Sequence, residues 1–501
     1  MIENLQLLFT GFASALTVQN LLVCTAGVVV GLFVGAMPGI GPVIGVSVLL
    51  PITYRMNPTT AIIMLGALYY STMYGGSISS VLLNIPGDAA AVALTLDGYP
   101  LAKKGYAGKA LSTCFMSSFI GGTIGIIVLT LFAPWLADIG LKFGSPELAL
   151  LILLAMTSIG WMLGDDPVLG LLATALGFLF ATVGPDQAQG LLRYTFRFPK
   201  LMSGIPFIPL VIGAFGFSQV IEMMSQGKQN QECITENIST KDLLLTRQEI
   251  LRILPVQIRS GFLGCFIGVM PGAGGTTASF LSYIVERRIG RNRDKMGTGV
   301  LEGCAAPDAA NNAAAASSFA PLLTLGIPGS STTAVLLGGL MLWGLQPGPL
   351  LFTNNPGIVW PTIASFYIAN ILGIAVCFCI IPLAVKAIRV PNQILAPIIF
   401  AICVVGAFAG SNSMFDVWLM MAVGVFSYFL KKAKIPMAPM LLAFVLCPML
   451  EKYVRQSFDM GRGDWGIFID SGISRTFLLA ILLFVFAPVA LRLGKKIRHT
   501  S

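Results

Sequence analysis

Two Pro-Gly stretches that recur 233 residues apart hold the residues best suited to binding a ligand: GAMPGIGPV at 35–43 and GVMPGAGGT at 268–276. Proline has no amide hydrogen and clashes with the preceding turn, while glycine accepts backbone angles other residues avoid, so each stretch should break a helix. A helix that restarts there leaves its first amides unpaired and the positive end of its dipole exposed, which suits a carboxylate. The candidates are Pro38, Gly39 and Gly41, and then Pro271, Gly272, Gly274, Gly275 and Thr276. A second pair of breaks follows, LNIPGDA at 83–89 and LGIPGSS at 325–331, 242 residues apart from Pro86 to Pro328. Asn84, Pro86, Gly87 and Asp88 bring an amide and a carboxylate to the first, whereas Pro328, Gly329 and Ser330 open a run of hydroxyls at the second. Such asymmetry fits a cation at one site and part of an organic anion at the other. A third pair, Ile205-Pro206-Phe207-Ile208-Pro209 and Ile435-Pro436-Met437-Ala438-Pro439, lies 230 residues apart.

The densest polar cluster in an apolar setting runs from Glu302 to Ala313, with Asp308, Asn311 and Asn312 inside it. Carboxylates near mid-membrane cost at least ~2.5 kcal/mol on insertion scales and mark function by default. Asn311 and Asn312 follow Asp308 by three and four residues and would share its face in a helix, as candidate substrate or cation contacts. The competing reading puts Glu302 and Asp308 at the interface, with Asp308 capping a helix that begins at Ala309. Carbonyl, amide and hydroxyl oxygens make a cation site without a titrating group, so sodium is favoured; with proton coupling instead, Asp88 or Glu302 would carry the proton.

Composition places these motifs in a bilayer. The 501 residues are 55% hydrophobic and 11% charged, with mean hydropathy +0.83, far from the roughly 25% charged of soluble domains. No charge falls between Leu5 and Tyr54, or between Asp308 and Lys386. Apolar runs this long exclude a β-barrel and predict an all-α polytopic membrane protein with about eleven to twelve spans, broken helices and re-entrant hairpins. The N-terminus has no basic leader and is expected to stay in the mature chain. Nine cysteines without a CxxC pair suggest neither disulfides nor a metal cluster. The single histidine, His499, removes histidine relays and triads, and the net charge of +9 follows from basic loops and a basic tail.

The pattern divides the chain into a first transmembrane repeat at 1–224, a polar linker at 225–256, a second repeat at 257–475 and an extra span with a basic tail at 476–501. Trp135, Trp360 and Trp418 are expected as interfacial anchors, and Asp165-Asp166 as a short polar loop. The basic runs at Lys431, Lys432 and Lys434 and at Arg492, Lys495, Lys496 and Arg498 should be cytoplasmic, leaving 451–475 outside. An inverted arrangement of the repeats is favoured, because it sets two equivalent sites face to face at mid-membrane.

Over nearly its whole length the chain resembles the large membrane subunit of the tripartite tricarboxylate transporter family. The resemblance rests on the paired MPGxG segments, on SSVLLNIPGDAAAVALTLDGYPLAKKGYAGKAL at 79–111 and on GTGVLEGCAAPDAANNAAAASSFAPLLTLGIPGSSTTAVLLGG at 297–339. It implies a bacterial inner-membrane symporter importing a tricarboxylate or related organic acid. It also implies a small membrane subunit, a periplasmic solute-binding protein, and sodium or protons as coupling ion. The family pattern often has Glu where this chain has Asp308.

No GxxxxGK[ST] phosphate cradle is present, so ATP does not drive this chain directly. Neither a cofactor nor nucleic acid is called for. An intramembrane enzyme would need an acid–base or nucleophile set that the unpaired carboxylates do not supply. A channel would not need two polar, asymmetric breaks. A carrier for a different organic anion coupled to protons is the nearer alternative.

Overall fold

The protein is described from a computed structural model that covers residues 2–162, 167–186, 190–225, 243–388 and 390–483. The Asp165-Asp166 pair, residues 226–242 of the polar linker and the basic tail lie outside the described residues. The architecture is all-α and polytopic, with one two-residue antiparallel ladder pairing Gly184 with Arg193 and Pro185 with Leu192.

Eight described helices are long and apolar enough to cross a membrane. Five further apolar helices are shorter, and two of them, Gly41–Thr53 and Ser331–Leu342, begin at the Pro-Gly breaks. Against the eleven to twelve spans expected from sequence beside re-entrant pieces, eight helices among the described residues have the length and apolarity of a crossing. The helix opening the second half starts at Arg247, inside the polar linker, where Thr246 and Glu249 form a reciprocal capping box. The helix Met437–Met460 reaches into the stretch expected to lie outside. Trp135 and Trp418 are exposed as anchors would be, but Trp360 is buried against the first helix, where a Cβ at Gly11 would press on its backbone.

Two helices are enclosed on all sides: every residue from Thr60 to Leu83 in Pro58–Leu83, and every residue of Leu301–Ser317. The first is rich in Gly, Ser and Thr and the second in Ala, small residues that let backbones approach closely. Each packs against one long neighbour in the same register. A Cβ at Gly31 or Gly35 of Val18–Ala36 would strike Leu68 O or Thr72 O; one at Gly264 or Gly268 of Arg247–Val269 would strike Ala310 O or Ala314 O. These four contacts match at the offsets of the motifs, 233 for the glycines and 242 for the carbonyls.

The breaks repeat in conformation as well. Gly39 and Gly272 have φ of 73° and 75°, and Gly41 and Gly274 have 64° and 58°, a left-handed region that side chains avoid. Asn84 and Gly326 end their helices at φ 58° and 68°. Asp88 and Ser330 follow as extended caps, φ −144° and −151°. Pro206 and Pro436 cap their helices with ψ 134° in both.

Candidate functional site

The breaks of both halves meet at one cavity of about 390 Å³, within the range of small-molecule sites of roughly 300–1,000 Å³. The sequence reading placed equivalent sites in each half; the structure joins them. Of the predicted residues, Gly39, Gly41, Pro86, Gly87, Asp88, Gly274, Gly275, Thr276, Asn311 and Ser330 line it. Pro38, Pro271, Gly272, Pro328 and Gly329 belong to the same breaks but do not line it.

Asn84 and Asn312 go elsewhere. Asn84 is exposed as the left-handed cap of its helix, a role open to asparagine because its short polar side chain tolerates that region. Asn312 turns away from Asn311, donating through Nδ2 to Ser118 Oγ at 2.9 Å and to Asp308 O at 3.1 Å. Asp308 is not a helix cap: it sits inside Leu301–Ser317, fully buried, accepting from Ser77 Oγ at 2.9 Å and Ser118 Oγ at 2.5 Å.

Helix starts converge on the cavity. Gly41 and Pro42 begin Gly41–Thr53, Gly274 and Gly275 begin Gly274–Ile289, and Ser331 begins Ser331–Leu342. Their caps are settled locally. Asp88 Oδ1 accepts from Ala91 N at 2.9 Å, and Ser330 Oγ accepts from Thr333 N at 3.2 Å while Thr333 Oγ1 accepts from Ser330 N at 2.8 Å. Among the described lining residues Asp88 is the one charged side chain. An anion entering here would be met by amides and helix dipoles rather than by lysine or arginine.

One polar contact at the cavity crosses between the halves: Tyr69 Oη lies 3.3 Å from Ser330 Oγ. Within the second half, Asn311 presses against Gly275, its Oδ1 buried without a hydrogen-bond partner. Sequence reasoning passed over Tyr69, although the offset of 242 that links the IPG breaks also links Tyr69 to Asn311. It also passed over Phe215, which reaches the cavity from a π-helical turn at Ile212–Phe217. Such turns gather at functional positions.

Behind the cavity, ion pairs and one buried carboxylate fasten the helices. Glu302 takes Arg252 Nε at 2.8 Å and Nη2 at 2.9 Å, together with Asn292 Nδ2 at 2.5 Å, and Glu286 pairs with Arg259. Asp97, fully buried, accepts from Gly297 N, Gly299 N, Val300 N and Tyr283 Oη at 2.7–3.1 Å. It satisfies amides at the start of Leu301–Ser317, whose own cap residue, Val300, has no side-chain acceptor. At the far end of the fold, Arg193 grips Glu451 through two hydrogen bonds of 3.0 and 3.1 Å, which push the Arg193 guanidinium further above its ordinary value.

A model of the tripartite tricarboxylate transporter TctA family matches residues 21–442. The chain belongs to the TctA family. Among TctA-like relatives, an uncharacterized 52.8 kDa protein in the TAR-I ttuC' 3'region of Agrobacterium vitis is 37% identical over 493 residues, 97% of each chain. An uncharacterized protein in the TAR-II ttuC' 3'region of the same organism is 40% identical over 215 residues, 43% of this chain and 89% of that protein. No solved structure matches. TctA membership makes the chain a multi-pass component of a transporter and accounts for the fold described here; the family is one of transporters rather than enzymes.

Proposed function

We propose that this TctA chain is the substrate-translocating subunit of a cation-coupled secondary transporter that imports carboxylates across a bacterial inner membrane. A small membrane subunit would complete the membrane part, and a periplasmic solute-binding protein would deliver the substrate. The supporting observation is the convergence of helix starts from both halves on one cavity with no basic side chain among its described lining residues. Amide donors bind a carboxylate and also let it leave, whereas a buried arginine pair would hold it. The matched registers at 233 and 242 support two equivalent halves, and an inverted arrangement would let each half gate the cavity toward one side.

Counterflow in proteoliposomes tests the reading, with the full chain co-purified with its subunits and a panel of labelled di- and tricarboxylates including citrate. Exchange of labelled for unlabelled acid is expected. Gly275→Val should abolish it without loss of membrane insertion, because a side chain there would collide with Asn311 Oδ1. Wild-type exchange in that variant, or a carboxylate conductance without counterflow, would overturn the proposal.

A further inference from the structure

We propose that Asp308 is a protonation site that couples proton movement to the cavity while standing apart from the groups that line it. Its carboxyl is fully buried within Leu301–Ser317, and among the described residues no Lys or Arg pairs with it. Other buried carboxylates of this region are compensated more fully: Glu286 has Arg259, Glu302 has Arg252, and Asp97 has three backbone amides and the Tyr283 hydroxyl. The titratable groups that interact with Asp308 are Tyr70 and Tyr74 on Pro58–Leu83, Cys114 on Ala107–Gly140, Cys377 on Pro356–Ile388 and Asp88 at the break. None of these can supply a positive charge.

An isolated carboxylate in so apolar a setting has to be neutralised by something that fits. Neither Asp308 nor its two serine partners lines the cavity, and both serine hydroxyls are spent as donors to it. A metal ion would need further oxygens and space around the carboxyl. A proton needs neither. At the breaks Asp88 Oδ1 and Ser330 Oγ are engaged in capping, with Ala91 N and Thr333 N, and the unpartnered Asn311 Oδ1 belongs to the cavity lining, which Asp308 does not join.

The connections of Asp308 give the proton something to act on. Ser77 belongs to Pro58–Leu83 in the first half and Asp308 to the second, so their bond joins the halves directly behind the cavity. Gly76, beside Ser77, faces Asp88: a Cβ there would lie 3.6 Å from Asp88 Oδ1. Asn311, one turn beyond Asp308, lines the cavity itself. Hydrogen bonds to an ionised carboxylate are roughly twice as strong as those to a neutral one, so adding a proton loosens the tie between the halves and removing it tightens the tie. Binding balances simply, one proton onto the carboxylate on entry and one off on release.

The proposal rests on the symporter reading, and its two tests are arranged to separate the two. The first needs no substrate. Infrared difference spectra of the full-length chain, titrated over roughly pH 4 to 9, should show the carbonyl stretch of a protonated carboxyl that is missing in Asp308→Asn. An identical set of bands in wild type and variant would overturn the proposal. The second uses proteoliposomes with a trapped pH dye and the labelled di- or tricarboxylate that the wild type exchanges. Asp308→Asn should keep exchange but lose accumulation driven by a pH gradient by roughly tenfold or more, with Asp308→Glu restoring it. Unchanged proton-driven accumulation in Asp308→Asn overturns the proposal, and so does loss of exchange that Asp308→Glu fails to restore. Absence of any wild-type exchange would instead defeat the symporter reading, leaving the infrared titration to decide whether Asp308 takes a proton.

Discussion

Three asparagines that look alike in sequence have three environments, and substitutions should separate them. Asn311 is buried against Gly275 at the cavity with a free amide oxygen. Its loss should weaken the apparent affinity for the transported carboxylate by about five- to a hundredfold, the size of about 1–3 kcal/mol for an unpaired buried partner. Asn84 is an exposed cap at φ 58°, so Asn84→Gly should keep near wild-type half-saturation while Asn84→Val, strained in that region, should lower the yield of folded protein. Uptake kinetics at matched expression check both, and equal behaviour of Asn311→Ala and Asn84→Gly would remove Asn311 from the site. Much of the cavity was legible because proline and glycine announce a break wherever they fall together. Asn312 leaves the cavity because adjacent residues on a helix face different neighbours, and the competing reading of Asp308 as a cap falls because its helix runs straight through from Leu301 to Ser317.

Among the elements, the start of Leu301–Ser317 depends on one distant carboxylate. Asp97→Ala would leave three backbone amides and the Tyr283 hydroxyl without their acceptor, each at about 1–3 kcal/mol if water cannot reach it. Thermal melts of the purified chain should therefore fall by several degrees in Asp97→Ala, less in Asp97→Asn and least in Tyr283→Phe, which removes one partner. A flat series would show that the start of this helix is held by other contacts. Sequence could not reveal this staple, since Asp97 and Gly297 lie 200 residues apart and no local pattern links them. Helix packing was partly legible. The glycines of Val18–Ala36 and Arg247–Val269 sit four residues apart, which predicts a close-packed face without saying which helix covers it. Gly264→Leu or Gly268→Leu should push Arg247–Val269 off the Ala-rich helix and lower the yield of folded protein, read by fluorescence-detected size exclusion.

For the whole molecule, the proposed inversion can be tested with equivalent arginines. Arg55 follows Gly41–Thr53 and Arg288 lies in the last turn of Gly274–Ile289, both exposed and 233 residues apart. In a cysteine-free background, Arg55→Cys and Arg288→Cys should label with an impermeant maleimide from opposite sides of the membrane. Labelling from the same side would mean parallel halves. The architecture as a class was legible from hydropathy, but the innermost helices were not, because polarity low enough for lipid is not demanded of a helix that lipid never touches. That last point bears on how the chain is made. Leu301–Ser317 carries Glu302, Asp308, Asn311 and Asn312, and its partner Pro58–Leu83 is lined with serines, threonines and tyrosines. Neither was built to rest alone among acyl chains after leaving the ribosome. Pro58–Leu83 can shelter early beside Val18–Ala36, but the first half stays open where Ser77 and Ser118 await Asp308. The core closes only once synthesis has passed Ser317, so a ribosome stalled before that point would hold an inserted chain still waiting for its centre.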